Sequence, residues 1–199
     1  MAAFDVDGTL TRRDCVLPFL VRTARWRLPG VFLRRPRAAA TALARRDRDA
    51  LKALACLSLR GLDQGTLERC GAAFAGRVHA QGLRPDTSAR LAAHRARGHL
   101  VVLVSASLGP YLDPLGALLG VDAVLCTRLE LADGVCTGRL DGPNCRGPEK
   151  AARLRAWLAA EGLDPVELWA YGDSAGDDAL LAMADHPVHV RSVTIAPEP

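Results

Sequence analysis

The chain has 199 residues, 49% of them hydrophobic, and a net charge of +4. That size allows one good core, or one core with a small insert, and the composition excludes a disordered chain. The most apolar stretch, Val16 to Leu33, is interrupted by Arg22, Arg25, Arg27 and Pro29, so it is no simple spanning helix, which needs about 20 mostly apolar residues. Met1-Ala2-Ala3-Phe4 runs into acidic residues without the basic and apolar regions of a signal peptide. The six cysteines are scattered with no C-x-x-C pair, so a reduced, cytoplasmic protein is expected.

Ala2 to Val6 is a short apolar run that ends in a glycine turn and predicts a strand. Residues 14 to 82 then show helical spacing of Ala, Leu and Arg. Breaks near Pro29-Gly30, Arg35-Pro36 and Gly61-Leu62-Asp63 divide them into three or four helices, the last capped by Asp63. Asp86 to Arg97 predicts a helix capped by Asp86 and stopped by Gly98, and His99 to Val104 a buried strand. Gly109 to Leu119 reads as helical and Ala123 to Cys126 as strand-like. Arg128 to Leu131 and Val135 to Leu140 flank Asp133-Gly134, a hairpin signal. A helix from Pro148 to Glu161, a strand from Glu167 to Tyr171, a helix from Gly176 to Ala184 and a strand from Val188 to Val190 complete the pattern; Ser192 to Pro199 shows no final helix.

Strands alternating with helices predict an α/β fold with a mostly parallel sheet covered on both faces. The helical stretch interrupts that alternation after the first strand and differs in charge. Residues 12 to 84 carry a balance of +11 and the remainder −7. The expected organisation is a core of residues 1–12 and 85–199 with a helical cap, residues 13–84, inserted after the first strand.

Asp5 and Asp7 fall at the carboxyl end of the first strand, the edge at which open α/β sheets bind ligands. Residues two apart on a strand point the same way, so both carboxylates can face one site. Two close carboxylates repel unless a cation lies between them, and oxygen-only ligands favour Mg²⁺. Tyr171-Gly172-Asp173-Ser174-Ala175-Gly176-Asp177-Asp178 repeats the arrangement at another strand end. Ser105, after Val101 to Val104, can donate to a phosphate oxygen, as can the main-chain N–H of Ala106. Ser105 also suits a helix cap. Lys150, in the first turn of its helix, can neutralise a phosphoryl group or hold a carboxylate.

These four elements, in this order, resemble the motifs of the haloacid dehalogenase superfamily. They are Asp5-Val6-Asp7-Gly8-Thr9, Ser105, Lys150 and Gly172-Asp173-Ser174 with Asp177. The all-helical insert is similar to the cap of the subfamily containing phosphoserine phosphatases, as is the run Asn144-Cys145-Arg146-Gly147-Pro148-Glu149-Lys150. The resemblance implies a Rossmann-like core and an Mg²⁺-dependent phosphomonoester hydrolase. It makes Asp5 the nucleophile that forms an aspartyl-phosphate and Asp7 the acid and base. Asp5, Asp173 and Asp7, the last through its carbonyl, would hold the metal, and Asp177 would support either the metal's waters or Lys150 from behind them. Ser105 and Lys150 would hold the phosphoryl group, and Asp14 and Arg60 would contact the substrate from the cap. The implied substrate is a small phosphorylated metabolite of phosphoserine type.

Alternatives are a phospholipid or lysophospholipid headgroup phosphatase, a phosphotransferase, and a catalytically silent binding protein of the same fold. The first is motivated by Phe19, Trp26, Phe32 and Leu33 interleaved with Arg22, Arg25, Arg34 and Arg35, a pattern that fits contact with an anionic membrane surface. It equally fits helices packing on their own core. No nucleic acid is expected, because no recognition motif accompanies the charge.

Overall fold

A computed structural model describes residues 1–163, 166–190 and 195–196 of the chain. The strands are β1 (Ala2–Phe4), β2 (Val101–Leu108), β3 (Ala123–Ala132), β4 (Val135–Asp141), β5 (Trp169–Gly172) and β6 (His186–His189). They form one sheet in the order β4-β3-β2-β1-β5-β6, parallel throughout except for the β3–β4 hairpin. From β1 the chain builds outward through β2, β3 and β4, then returns to add β5 and β6 on the other side. The loops leaving β1 and β5 therefore diverge, and a crevice opens at the carboxyl ends of adjacent strands.

Alternation along the strands divides the core between two layers. Phe4, Val101, Leu103 and Tyr171 face one side, with Leu91 of α6 (Pro85–Ala96) and Tyr111, Leu112 and Leu115 of α7 (Gly109–Leu119). Ala3, Val102, Val104 and Ala170 face the other, under Leu154 and Leu158 of α8 (Pro148–Ala160) and Leu180 and Leu181 of α9 (Asp178–Leu181). Both faces of the central strands are thus apolar, which is why their sequence reads as unbroken hydrophobic runs.

Between β1 and α6 lie α1 (Val16–Ala24), α2 (Arg27–Arg34), α3 (Pro36–Ala44), α4 (Arg48–Cys56) and α5 (Gln64–Arg77). A 3₁₀ turn over Leu57–Leu59 follows α4, and a wide helical turn over Val78–Gly82 follows α5. This segment shares the first core layer. Phe19 of α1 and Phe74 of α5 meet Tyr111 of α7, with ring centroids 4.9 and 5.2 Å away. Gly71 of α5 lets the two backbones approach, since a Cβ there would lie 1.8 Å from the Pro110 carbonyl oxygen.

Several expected boundaries move. No helix breaks at Pro29-Gly30: Pro29 sits in the first turn of α2, where its missing N–H is not needed. The break falls instead at Arg25, whose φ is +50°, and another falls at Arg46, with φ +52°, before the Asp47 cap of α4. Hence five helices stand where three or four were expected. Asp86 does not cap α6; it lies inside the first turn, 2.8 Å from Arg84. Strand β2 runs on to Leu108 through an irregularity after Ser105, and β3 is one strand rather than two. Helix α9 is shorter than expected, and β6 begins at His186, ahead of Val188. Most of the tail from Ser192 to Pro199 lies outside the described residues.

Candidate active site

The crevice beside β1 holds a cavity of about 970 Å³. Its floor comes from four chain segments that converge because their strands are neighbours. Asp5 follows β1, and its N–H donates to the Tyr171 carbonyl of β5 at 2.9 Å, which fixes the two strand ends together. The chain then turns, with Thr9, Leu10 and Thr11 all donating to the Val6 carbonyl. Gly8 makes the turn possible with φ +88°, and a Cβ there would collide with the Asp173 carboxylate at 2.4 Å.

Lys150, in the first turn of α8, is buried between two acids. Its Nζ lies 2.5 Å from Asp5 Oδ1 and 2.5 Å from Asp177 Oδ1. Burial alone would strip charge from this lysine, but the flanking carboxylates outweigh that and raise its pKa. Asp177 is committed to this role. Its second oxygen accepts from the Asp173 and Ser174 N–H groups and from the Ser174 hydroxyl. Burial pushes Asp5 up to about 6 against the pull of Lys150, and it raises Asp173 as well.

Carboxylate oxygens of Asp5, Asp173 and Asp177 lie within 4.8 Å of one another. One ammonium among three carboxylates leaves surplus negative charge at a mostly buried point, and every donor is oxygen. That set fits a hard divalent cation. The Asp7 side chain is turned elsewhere: Oδ1 accepts from the Cys15 N–H at 2.9 Å and Oδ2 from Ser107 Oγ at 2.7 Å. Burial, with Asp14 and Asp5 close by, pushes Asp7 up to about 7, suited to giving and taking a proton near neutrality.

Asp5, Asp7, Asp14, Ser105, Ala106, Lys150, Asp173 and Asp177 therefore all line one cavity. Arg60 is not among the lining residues. It is exposed beyond the 3₁₀ turn, where its carbonyl accepts from Arg27 Nη2 at 2.5 Å. Asp14 reaches the cavity, but its carboxylate also accepts from the Leu17 N–H at the start of α1.

Two residues were not anticipated. Ser107 accepts from the Tyr111 hydroxyl at 2.8 Å and its own hydroxyl donates to Asp7, so it orients that carboxyl. Its place two residues after Ser105 in the same strand was the available signal. The other is Lys52 of α4, which donates to the Ala106 carbonyl, to Thr127 Oγ1 at 3.1 Å and to Asn144 Oδ1 at 2.6 Å. Asn144 in turn donates to Asp49 of α4 at 2.7 Å. Helix α4 is thereby tied to the sheet edge next to Ser105. The signal was compositional: Lys52 and Lys150 are the two lysines of the chain, and both line the cavity.

Comparison with known proteins agrees with this geometry. The family model for haloacid dehalogenase-like hydrolases matches residues 2–182. Protein CicA of Caulobacter vibrioides is 39% identical over 187 residues, covering 93% of this chain and 83% of that protein. A solved structure from Bordetella pertussis, described as a protein of unknown function, superposes with a TM-score of 0.80 at 28% identity, over 95% of this chain and 88% of that one. An apo phosphoserine phosphatase superposes with a TM-score of 0.62 at 20% identity, over 92% and 82% of the two chains, a likeness of fold alone. Motif, sheet-edge geometry and family match converge: the chain belongs to the haloacid dehalogenase-like hydrolases and is a phosphatase.

Proposed function

We propose that the chain is a magnesium-dependent phosphomonoester hydrolase that carries the phosphoryl group on Asp5. In this reading residues 1–12 and 85–199 are the catalytic core and 13–84 the cap. The observation that supports it most is the meeting of Asp5, Asp173 and Asp177 around Lys150, with Asp7 held apart on Ser107. Asp5, Asp173 and the Asp7 carbonyl are the groups that would hold Mg²⁺. The ion, when bound, neutralises charge on the phosphoryl oxygens.

An Asp5 carboxylate oxygen attacks phosphorus as the ester P–O bond breaks, and the Asp7 carboxyl gives its proton to the departing oxygen, which leaves as an alcohol. Asp7, now a carboxylate, takes a proton from water as that water attacks the phosphorus. The bond from phosphorus to Asp5 breaks, and inorganic phosphate departs. Ser105 and Lys150 hold the phosphoryl oxygens through both steps. An alcohol in place of water would give phosphotransfer from the same intermediate.

The substrate is a phosphorylated compound, but the phosphoserine type lacks one expected support. Arg60, the expected partner for a carboxylate, is not at the cavity; the cationic lining residues among those described are Arg12, Arg13, Arg48, Lys52, Arg146 and Lys150.

The test is phosphate release from a panel of phosphomonoesters with Mg²⁺. Release is expected from the native protein, and both EDTA and Asp5→Asn should abolish it. Activity that persists in Asp5→Asn would overturn the nucleophile. Adding glycerol separates the two fates of the intermediate: a new phosphate ester would show transfer.

A further inference from the structure

The upper part of the cavity is built unlike its floor. Val16, Leu17, Pro18 and Leu20 of α1, Phe32 of α2, Leu43 of α3 and Leu51 and Ala55 of α4 give it an apolar wall. A substrate consisting of a phosphate on a small polar body leaves that wall facing water. A substrate with a hydrocarbon part covers it. The wall also runs outward: Leu17 is 57% exposed and Leu43 is 61% exposed while both line the cavity. Val21 lies one turn beyond Leu17 on the same face of α1 and is also exposed. Trp26, between α1 and α2, and Leu33, near the end of α2, are each 80% exposed. Large apolar side chains this open, in adjacent helices that pack on each other, mark a contact surface.

The charge around them identifies the partner. From Cys15 to Arg46 the sequence carries eight arginines and no acidic residue. Arg22, Arg25, Arg34, Arg35, Arg37, Arg45 and Arg46 are exposed, and Arg12, Arg13 and Arg48 line the cavity. Apolar side chains amid arginine, with no acidic residue from Cys15 to Arg46, complement an anionic bilayer: the hydrocarbon parts enter the interface and the guanidinium groups meet phosphates. No described helix is long and apolar enough to cross a membrane, so contact would be peripheral.

We infer that helices α1 to α3 dock on an anionic bilayer and that the cavity takes the phosphomonoester of an acylated lipid from it, the acyl part lying on the Leu17–Phe32–Leu43–Leu51 wall. This rests on the phosphomonoesterase reading above and adds the substrate class to it. The phosphate reaches Lys150 and Asp5 while the tail never needs to enter the polar floor. Reaction products are inorganic phosphate and the corresponding lipid alcohol, so the reaction that supplies the substrate is one that makes a lipid phosphomonoester.

The test compares glycerol 3-phosphate, 1-oleoylglycerol 3-phosphate, phosphoserine and p-nitrophenyl phosphate with the full chain and Mg²⁺. The two glycerol esters share a reacting group and differ in the tail. The acylated ester should have kcat/KM at least about 100-fold higher, because only it buries the chain on the wall. Vesicles of phosphatidylcholine with about one third phosphatidylglycerol should co-sediment the protein at low salt and release it at high salt. A Trp26→Ser, Leu33→Ser double variant should lower the ratio of vesicle-borne to detergent-dispersed lipid turnover about tenfold, since each exposed side chain lost removes interfacial contact. Equal kcat/KM for the two glycerol esters, or a preference for phosphoserine, would overturn the substrate class. Failure to bind the vesicles at low salt would overturn the docking surface. If p-nitrophenyl phosphate and every other ester resist hydrolysis, the phosphomonoesterase reading itself fails and takes this inference with it.

Discussion

The floor and the wall of the cavity obey different physics. The floor is polar, fixed and over-determined: Lys150 and Asp177 are buried and each is held by more than one short contact. The wall is apolar, partly exposed and carried by helices that Lys52 and backbone hydrogen bonds between residues 61–62 and Cys136 tie to the sheet, and that the Phe19–Phe74–Tyr111 cluster ties to α7. Chemistry needs groups placed to a fraction of an ångström, whereas recognition of a hydrocarbon needs area. The difference teaches that the reaction and the choice of substrate are separable properties here, each altered without the other.

Substitutions on the floor should have the largest effects. Asp7→Asn keeps the shape but has one oxygen to accept from Ser107 or Cys15, and it cannot exchange the proton, so kcat should fall about 10²- to 10⁴-fold with KM little changed. An Asp7→Asn enzyme within a factor of two of native would remove the acid–base role. The tie between floor and wall comes next. Lys52→Met keeps the stem and loses three hydrogen bonds from a charged donor, one of them to the carbonyl of Ala106. Steady-state kinetics should show kcat/KM falling roughly tenfold, the scale of one charge-assisted hydrogen bond. Limited proteolysis should cut residues 13–84 faster. Unchanged cleavage would mean that Lys52 does not hold the helices.

Packing between the two regions is tested by Gly71→Ala. The added methyl meets the Pro110 carbonyl oxygen, so α5 and α7 must separate. Such overpacking costs about 1–3 kcal/mol, seen as a lower midpoint in thermal or denaturant unfolding. A midpoint equal to the native one would show that the helices already stand farther apart.

A last effect concerns acid stability and lies beneath the floor. His94 is buried, with Nε2 2.8 Å from the Tyr171 hydroxyl and Nδ1 2.8 Å from His99 Nδ1. Burial, with His99, Arg90, Arg97 and the N-terminus nearby, lowers its pKa from 6.5 to about 4. The unfolded chain therefore binds the proton more readily between these values. Stability should be constant above about pH 6.5 on this account and fall as pH drops toward 4. Denaturant titrations across that range should show the slope, and His94→Gln should flatten it. A slope unchanged in the variant would assign the acid loss to other groups.

Much of the floor was legible in the sequence, and little of the wall was. Asp5, Asp7, Ser105, Lys150 and Asp173 each follow a buried strand or open a helix, so local pattern alone places them at a sheet edge. Arg60 shows the limit. The family resemblance put it near a substrate, but the turn after α4 carries it outward, while Lys52, two turns earlier, faces the sheet. Which face of an amphipathic helix meets which neighbour depends on the packing of all the others, and several packings satisfy the same periodicity.

The sequence by itself determined the α/β alternation, the strand-end acids and the arginine-rich character of residues 15–46, because strand period, turn glycines and charge are local properties. Only the tertiary structure decided that Asp177 serves Lys150, that Ser107 aims Asp7, and that α4 is anchored beside Ser105. It also decided that Leu17 and Leu43 open from the cavity to the surface. These are long-range contacts, joined by sheet order and helix packing rather than by neighbourhood in the chain.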